Sequence, residues 1–189
     1  GQAQYFTSPY TPPDYGQKCQ MTNIDLTATL TPTEKSELQT ATGKFLYYGR
    51  AVNDTMLHAL NDLATCVTKG TQQTMKALTH FLNYCASDSE ATVLYRASNM
   101  MILHNHSDAA YLVASEARSR AGGFTYFGNS DDKVQIINGP IAVMAKIIKA
   151  VMSSAAEAEI GALFINSREA VHIRNILEEM GQEIHLIIQ

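Results

Sequence analysis

The chain has 189 residues, of which 46% are hydrophobic and 17% charged, and its formal net charge at pH 7 is −4. This length suits one domain, or one domain with an appendage, and allows a substantial buried core. The composition indicates a soluble globular protein and argues against a protein that relies on phosphate contacts, which usually presents a basic surface. The fourteen Lys and Arg residues can still cluster on one face.

The cysteines and the lengths of the apolar runs bear on the cellular compartment of the protein. Cys19, Cys66 and Cys85 have no paired spacing, so we expect reduced thiols rather than a disulfide framework. We find no signal peptide and no apolar run long enough to span a membrane. The sequence therefore predicts an intracellular protein of the cytoplasm or nucleus with no membrane contact. Because it begins at Gly1 without a methionine, we interpret it as a fragment or a processing product.

Residues 1–30 are predicted to form an extended arm. Four of the five prolines lie within residues 1–32, and the stretch 8–13 has a polyproline-like composition. Such an arm is either disordered or laid across another surface. Its aromatic residues favour the second alternative, since they gain most by packing into a groove; they are Tyr5, Phe6, Tyr10 and Tyr15.

Residues 31–90 are predicted to form a small α-helical layer. Thr31 is a good N-cap, Pro32 suits the first helical position, and Glu34 follows, so we expect a helix from there to about residue 49. Leucines at helical spacing predict a second helix from Asp54 or Thr55 to near Gly70, and a third begins around residue 71.

The second half of the chain has β-rich segments. Strands are predicted from composition at 91–95, 100–108, 120–128 and 183–188. The run 141–151 suits a helix or a strand, and its place between a hairpin and an acidic helix favours a strand. Gly122 and Gly123 predict a bulge or a close backbone approach. Residues 129–133 are predicted as a polar turn.

A long acidic helix is predicted from about residue 154 to Gly181, a good C′ residue, with 166–167 as a possible break. Glu157 follows Ser154 at the spacing of a capping box. Glu159 then needs another explanation, because it stands at the edge of the apolar surface that follows it. Burying a carboxylate there is unfavourable unless it pairs with a cation or a hydrogen-bond donor. The structural alternatives for Glu159 are a salt bridge or simple solvent exposure.

Four motifs in order resemble the ribonuclease H domain of retrotransposon polyproteins, and the copia-type elements with long terminal repeats look closest. The motifs are SDA at 107–109, SRAGGF at 119–124, SSAAEAE at 153–159 and EAVHIRNILEEMG at 169–181. Upstream, the segments 43–48 and 77–84 resemble the helical connection between reverse transcriptase and ribonuclease H. Each motif alone is weak, but the ordered set is fairly specific.

The resemblance implies an α/β fold: a ribonuclease H-like mixed sheet with a long helix, after a small α-helical layer and a Pro/Tyr-rich arm. It divides the chain into the arm at 1–30, a helical connection-like region at 31–90 and a ribonuclease H-like domain at 91–189. In the family a third catalytic aspartate follows the last strand predicted here. The resemblance therefore implies a domain that ends before this residue and is weak or inactive alone.

The resemblance also implies the chemistry, which is hydrolysis of the RNA strand of an RNA–DNA hybrid with two Mg²⁺ ions. Asp108, at the end of the first strand, would be the bridging metal ligand, and Glu159 would be the catalytic carboxylate of the helix. Such hard cations take oxygen ligands from separate elements. Nearby acids that could replace the third aspartate are Glu183 and either Asp131 or Asp132, although their spacing does not favour them.

Two other sites are open from the residues themselves. Alternation places His104, His106 and Asp108 on one face of a strand, which would suit zinc or iron, although histidines on such strands more often make structural hydrogen bonds. Arg118 and Arg120, beside the paired glycines, would contact a nucleic-acid backbone or form a solvated charge pair.

A second function is also open. The chain would be a catalytically inactive ribonuclease H-like protein that assembles with itself, as an oligomer or filament, through its N-terminal arm and its edge strands. The acidic balance, the aromatic arm and the missing third acid motivate this hypothesis.

Overall fold

The computed structural model describes residues 5–11, 25–97, 102–114, 118–128 and 137–189. The chain forms two compact units, residues 1–92 and residues 93–189, which we call the helical unit and the sheet unit. Across the described ranges, no helix combines the length and the apolar character that a membrane crossing requires. The predicted polar turn at 129–133 and the residue Cys19 lie outside the described residues.

Within its described residues, the helical unit contains three α-helices. They are α1 (Pro32–Ala51), α2 (Leu57–Thr65) and α3 (Gln72–Ser87), with a 3-10 turn (Asp54–Met56) before α2. The predicted start of α1 is confirmed, because the Thr31 side chain accepts a hydrogen bond from the Glu34 N–H at 3.3 Å. The Glu34 carboxylate accepts one from the Thr31 N–H at 2.8 Å, which completes a capping box.

The second helix, predicted from Asp54 or Thr55 to near Gly70, is wrong only at its end. It begins as a 3-10 turn, and α2 ends at Thr65. The chain then turns back so that Gly70 O accepts from Leu30 N at 3.0 Å. A Cβ at Gly70 would lie 2.7 Å from the side chain of Leu30, so this packing requires glycine. The helix thus ends early because a distant segment pairs with it.

Large apolar side chains fill the helical unit. The buried apolar residues that form one cluster there are Leu30, Leu38, Met56, Ala59, Leu60, Leu63, Leu78, Phe81 and Tyr84. Part of the predicted arm packs against this core, with Phe6 and Tyr10 half-buried. The rings of Phe6 and His80 are 4.5 Å apart, and those of Tyr10 and His58 are stacked at 4.4 Å. For residues 5–11, the prediction that the arm lies across a surface is confirmed.

The sheet unit is a four-stranded mixed sheet with a long helix. The strands are β1 (Ile102–Ala114), β2 (Arg118–Gly128), β3 (Pro140–Ile147) and β4 (His185–Ile188), in the order β3-β2-β1-β4. β1 pairs antiparallel with β2, β2 antiparallel with β3, and β4 parallel with β1. The helix α4 (Ala155–Glu179) connects β3 to β4. Strands over much of 120–128, 141–151 and 183–188 are therefore confirmed.

Two strand predictions are corrected. Residues 91–95 form no strand, although Leu94 O accepts a hydrogen bond from Gly139 N at 2.9 Å. The strand predicted to end at Asp108 continues as β1 to Ala114. β1 extends because β2 supplies pairing partners back to Arg118, with a register shift after Ala110. Asp108 therefore lies in the middle of its strand, opposite Gly122.

The ends of α4 agree with the sequence, and the suspected break at 166–167 does not occur. The Ser154 hydroxyl accepts from Glu157 N at 3.1 Å, while the Glu157 carboxylate accepts from Ser153 N at 2.7 Å. The hydroxyl and N–H of Ser153 lower the pKa of Glu157. Gly181 follows the helix with a φ of 85°, the conformation expected at C′.

Small residues face each other between α4 and the sheet. Ala158 and Ala162 of α4 pack on Ala121 of β2, with Ile148 and Met152 beside them. Ala109 of β1 packs against the same cluster. This places alternate residues of β1, including Ser107 and Ala109, on the face that α4 covers.

Candidate functional site

Asp108 projects from the face of the sheet opposite α4. Its neighbours in the strand both face the helix, since Ala109 packs in the α4 cluster and the Ser107 hydroxyl accepts a hydrogen bond from Asn166 at 2.9 Å. Successive side chains of a strand alternate between the two faces. The Asp108 side chain is exposed, and in the described part of the chain it makes no hydrogen bond or ion pair.

The pairing of β1 with β4 ends just before Asp108. The last paired residues are Asn105 and Ile188, and Ser107 N donates to Gln189 O at 2.8 Å. Among the described residues, nothing pairs with β1 on this side from Asp108 onward. Asp108 therefore follows directly after the last residue of β1 that bonds to the β4 segment, and its side chain points to the face away from α4.

Glu159 lies near the start of α4, next to the fully buried Ala158, and its side chain is exposed. It borders the apolar surface expected from the sequence, but the large side chains of that surface are themselves in solvent, with Ile160 and Phe164 68% and 62% exposed. The sheet-facing positions recur every four residues instead, and they hold alanine or asparagine: Ala158, Ala162, Asn166 and Ala170. Solvent exposure, one of the alternatives for Glu159, is what the structure has.

The two carboxylates lie on elements that pack against each other, β1 and α4. Both are oxygen ligands of the kind that Mg²⁺ prefers, and the described chain gives neither a compensating cation. Asp108 faces away from α4, so the sheet does not direct the two carboxylates to the same face. Over the described ranges, no three His, Cys, Asp or Glu residues come together as a metal site.

The substitutes for a third ligand are not close to Asp108. Glu183 lies just before β4, whose first residue, His185, pairs with Ile102 at the other end of β1. At about 3.3 Å per residue this end is roughly 20 Å from Asp108. Asp131 and Asp132 lie outside the described residues.

His104 and His106 share a face with Asp108, as the alternation predicts, and both contact Tyr126. His104 is 1% exposed and its ring stacks on Tyr126 with a centroid distance of 5.1 Å. The His106 Nε2 atom is 3.1 Å from the Tyr126 hydroxyl. Burial raises the pKa of Tyr126. These contacts favour the structural explanation of the two histidines over a zinc or iron site.

The two arginines are not a surface pair. Arg118 is partly exposed and donates from Nη1 to Lys149 O at 2.8 Å. Arg120 is only 6% exposed, so the predictions of a solvated charge or of a nucleic-acid contact at this residue are both wrong. The paired glycines form no bulge, since the β1–β2 register is continuous across them. Gly123 instead gives room to Asn166, whose Oδ1 would be 1.8 Å from a Cβ there.

Sequence reasoning missed the importance of Asn166, which is 1% exposed in the contact between α4 and the sheet. The available signal was its spacing. A single amide that recurs in step with alanines at 158, 162 and 170 marks a polar group on the packed face of a helix.

Comparisons of the chain with protein-family models, with curated protein sequences and with solved structures found no match. The functional proposal therefore stands on the motifs and on the geometry.

Proposed function

We propose that this chain is the ribonuclease H region, with its preceding connection segment, of a copia-type retroelement polyprotein. On this proposal the sheet unit is a ribonuclease H-like domain that hydrolyses the RNA strand of an RNA–DNA hybrid. One observation carries the proposal: Asp108 in the central strand and Glu159 near the start of the packed helix are both exposed, and neither is paired with another side chain among the described residues. The ordered motifs around these residues support it.

Asp108 and Glu159 would hold Mg²⁺, which when bound activates water and stabilises the leaving oxygen of a phosphodiester. The chain contributes the ligands and their orientation. β1 is fixed by pairing on both sides up to Ser107, and α4 is fixed by its contacts with β1 and β2. The described residues supply two carboxylates, so a complete site needs further ligands.

The substrate would be recognised by shape and by its 2′-hydroxyl groups rather than by a strongly basic surface. The net charge is −4, and Arg120 is buried. We therefore expect weak binding of hybrid with a shallow dependence on salt, because few phosphate contacts release few counterions.

The test is cleavage of a labelled RNA–DNA hybrid by the 189-residue chain with Mg²⁺. We expect Asp108→Asn and Glu159→Gln each to abolish cleavage, because each removes a charged metal ligand. Glu179→Gln is the matched control, since Glu179 is an exposed acid at the other end of α4. Equal cleavage by all four proteins would overturn the proposal, and no cleavage by the folded wild type would favour the second candidate function described below.

A second candidate function is a catalytically inactive ribonuclease H-like protein that assembles with itself. The observation that favours it is the set of exposed apolar side chains on α4, where Ile160, Phe164 and Ile176 are 68%, 62% and 57% exposed. β3 and β4 are also edge strands of the described sheet. The described arm residues pack on their own helical unit, so exchange of the arm would repeat these contacts on a neighbouring copy.

Light scattering distinguishes the routes to assembly. If α4 mediates it, the double variant Ile160→Ser/Phe164→Ser is monomeric while a chain without residues 1–24 still assembles. If the arm mediates it, the two results are reversed. A wild-type chain that stays monomeric at high concentration rules out this candidate function.

A further inference from the structure

Asn166 ties α4 to the two central strands. Its Nδ2 group donates to the Ser107 hydroxyl at 2.9 Å and to Gly122 O at 2.7 Å, and it is also 3.1 Å from Ala162 O of its own helix. The side chain is 1% exposed. A buried amide needs such partners, since burial without them is unfavourable.

The two partners in the sheet lie on either side of Asp108. Ser107 precedes it in β1, and Gly122 is its Cα partner in β2. The bonds from Asn166 therefore hold α4 at the level of the strand where Asp108 lies.

Gly123 leaves the space that the Asn166 side chain occupies. A Cβ at Gly123 would be 1.8 Å from Asn166 Oδ1 and 2.8 Å from Cγ, distances that no side chain at position 123 can accommodate without moving Asn166. Gly123 faces α4, because its Cα partner in β1 is Ser107. The glycine and the asparagine thus form a matched pair across the packed surface.

Apolar contacts cover the rest of this surface. Ala158 and Ala162 pack on Ala121, with Ala109, Tyr111, Ile148, Met152 and Ile165 around them. The fully buried positions of α4 other than Asn166 carry alanine, and their methyl groups give shallow ridges that discriminate little between positions along the helix axis. Hydrogen bonds do discriminate, because a shift of one turn, about 5.4 Å, would remove both partners of the amide.

We propose that Asn166 is a positioning residue: it fixes the axial position of α4 on β1 and so sets the Glu159 carboxylate relative to Asp108. Glu159 lies about two turns, roughly 10 Å, before Asn166 on the same helix. Asn166 therefore acts through the helix and does not touch the substrate. The catalytic consequence rests on the proposed ribonuclease H function, whereas the effect on the position of α4 does not.

The position of α4 is measured by electron paramagnetic resonance between two spin labels. The labels are placed at Ile141 of β3 and Ile160 of α4, which are both exposed, after Cys19, Cys66 and Cys85 are replaced. We expect one narrow distance distribution for the parent and a broader or shifted one for Asn166→Ala. This variant should fold, because alanine already occupies the other sheet-facing positions.

Three further variants separate positioning from simple packing. Gly123→Ala should displace Asn166 and broaden the distribution. The double variant Gly123→Ala/Asn166→Ala relieves that clash and should recover thermal stability relative to Gly123→Ala, but not the narrow distribution. Ser167→Ala is the matched control, since the Ser167 hydroxyl bonds only within its helix, to Leu163 O at 2.7 Å. Its distribution should equal that of the parent.

Hybrid cleavage provides the second readout. We expect Asn166→Ala to lower kcat at least about tenfold with KM for the hybrid unchanged, and Ser167→Ala to change neither. An unchanged distance distribution in Asn166→Ala overturns the proposal, and so does a changed distribution with an unchanged kcat. A folded wild type that cleaves no hybrid favours the second candidate function and removes the catalytic consequence of Asn166, while the distances still decide whether Asn166 positions α4.

Discussion

The interiors of the two units are built differently. The helical unit buries large apolar side chains such as Leu38, Leu60 and Phe81. The sheet unit also buries large apolar side chains, such as Leu103 and Tyr126, but it packs alanines between α4 and the sheet. Among the described residues it buries more polar side chains than the helical unit: His104, Asn105, Ser119, Arg120, Thr125 and Asn166, against Thr42, Asn53 and Thr74. Apolar packing contributes most of the stability of a fold, whereas buried hydrogen bonds are sensitive to geometry.

This difference predicts which property a substitution will change in each unit. Substitutions in the helical unit should act mainly on the free energy of unfolding. Substitutions between α4 and the sheet should act on geometry as well, because the polar contacts there have few alternative arrangements. The sheet unit, which carries the proposed chemistry, is therefore the unit whose buried contacts fix the position of a helix on its sheet.

Removing a large side chain from the helical core should have the largest effect. Phe81 is 0% exposed and its ring meets that of Phe45 at 5.2 Å, edge to face. We expect Phe81→Ala to lower the free energy of unfolding by about 3–5 kcal/mol, measured by urea denaturation. Leu82→Ala, at the exposed neighbouring position, is the control and should lose much less. Similar losses in the two variants would contradict this description of the core.

Overfilling the small interface of the sheet unit should have an intermediate effect. Ala162 is 0% exposed between α4 and β2. We expect Ala162→Leu to destabilise the unit by about 1–3 kcal/mol, because the added atoms force α4 away from the sheet. Leu163→Ala, on the exposed side of the same turn, is the control. If Ala162→Leu has the same urea midpoint of unfolding as the parent, the packing of α4 on the sheet is not as described.

A smaller effect is expected at the start of α1. Thr31→Ala removes the hydroxyl that caps Glu34 N, and loss of such a cap costs about 1 kcal/mol. Thermal unfolding followed by circular dichroism measures it. Thr31→Ser keeps the hydroxyl and should retain most of the stability; a serine variant as unstable as the alanine variant would exclude the cap as the cause.

The smallest expected effect is a pH dependence of stability that arises from Glu34, the carboxylate of the capping box at the start of α1. Hydrogen bonds from the Gln72 amide, and then from the N–H and hydroxyl of Thr31, lower the pKa of Glu34 from its ordinary value of 4.5. A lowered pKa in the folded state stabilises the protein above the unfolded value, and this stabilisation is lost as the pH falls through the folded value.

The expected result is a difference in Tm between wild type and Glu34→Gln that is present at pH 7 and shrinks below about pH 4.5. Glu37→Gln, an exposed position on the same helix, serves as the control and should show no such change. A difference for Glu34→Gln that stays constant from pH 7 to pH 3 would contradict the assignment.

Local features of the fold were predictable from the sequence. The start of α1 follows from Thr31, Pro32 and Glu34, and the start of α4 from Ser154 and Glu157, because caps involve residues within one turn. The ends of β1 and α2 were not predictable in this way. They depend on pairing partners distant in the chain, β2 for the strand and the segment around Leu30 for the helix.

The residues of the candidate site also differ in whether the sequence could predict them. Asp108 and Glu159 were proposed from motifs that lie within short stretches of sequence. Asn166 was not, since its role depends on Ser107 and Gly122, which only the folded sheet brings to it. The burial of Arg120 was missed for the same reason, because the charge of a side chain does not reveal which surface it lies on.

The most direct test of the account is whether Asp108 and Glu159 bind the same divalent cation. Substoichiometric Mn²⁺, a paramagnetic substitute for Mg²⁺, would be added to the isotopically labelled chain, and the broadening of backbone amide signals recorded by nuclear magnetic resonance. The account predicts that the signals of Asp108 and Glu159 broaden together, and that Asp108→Asn abolishes both effects. Broadening at only one of the two residues, or at neither, would contradict a shared metal site.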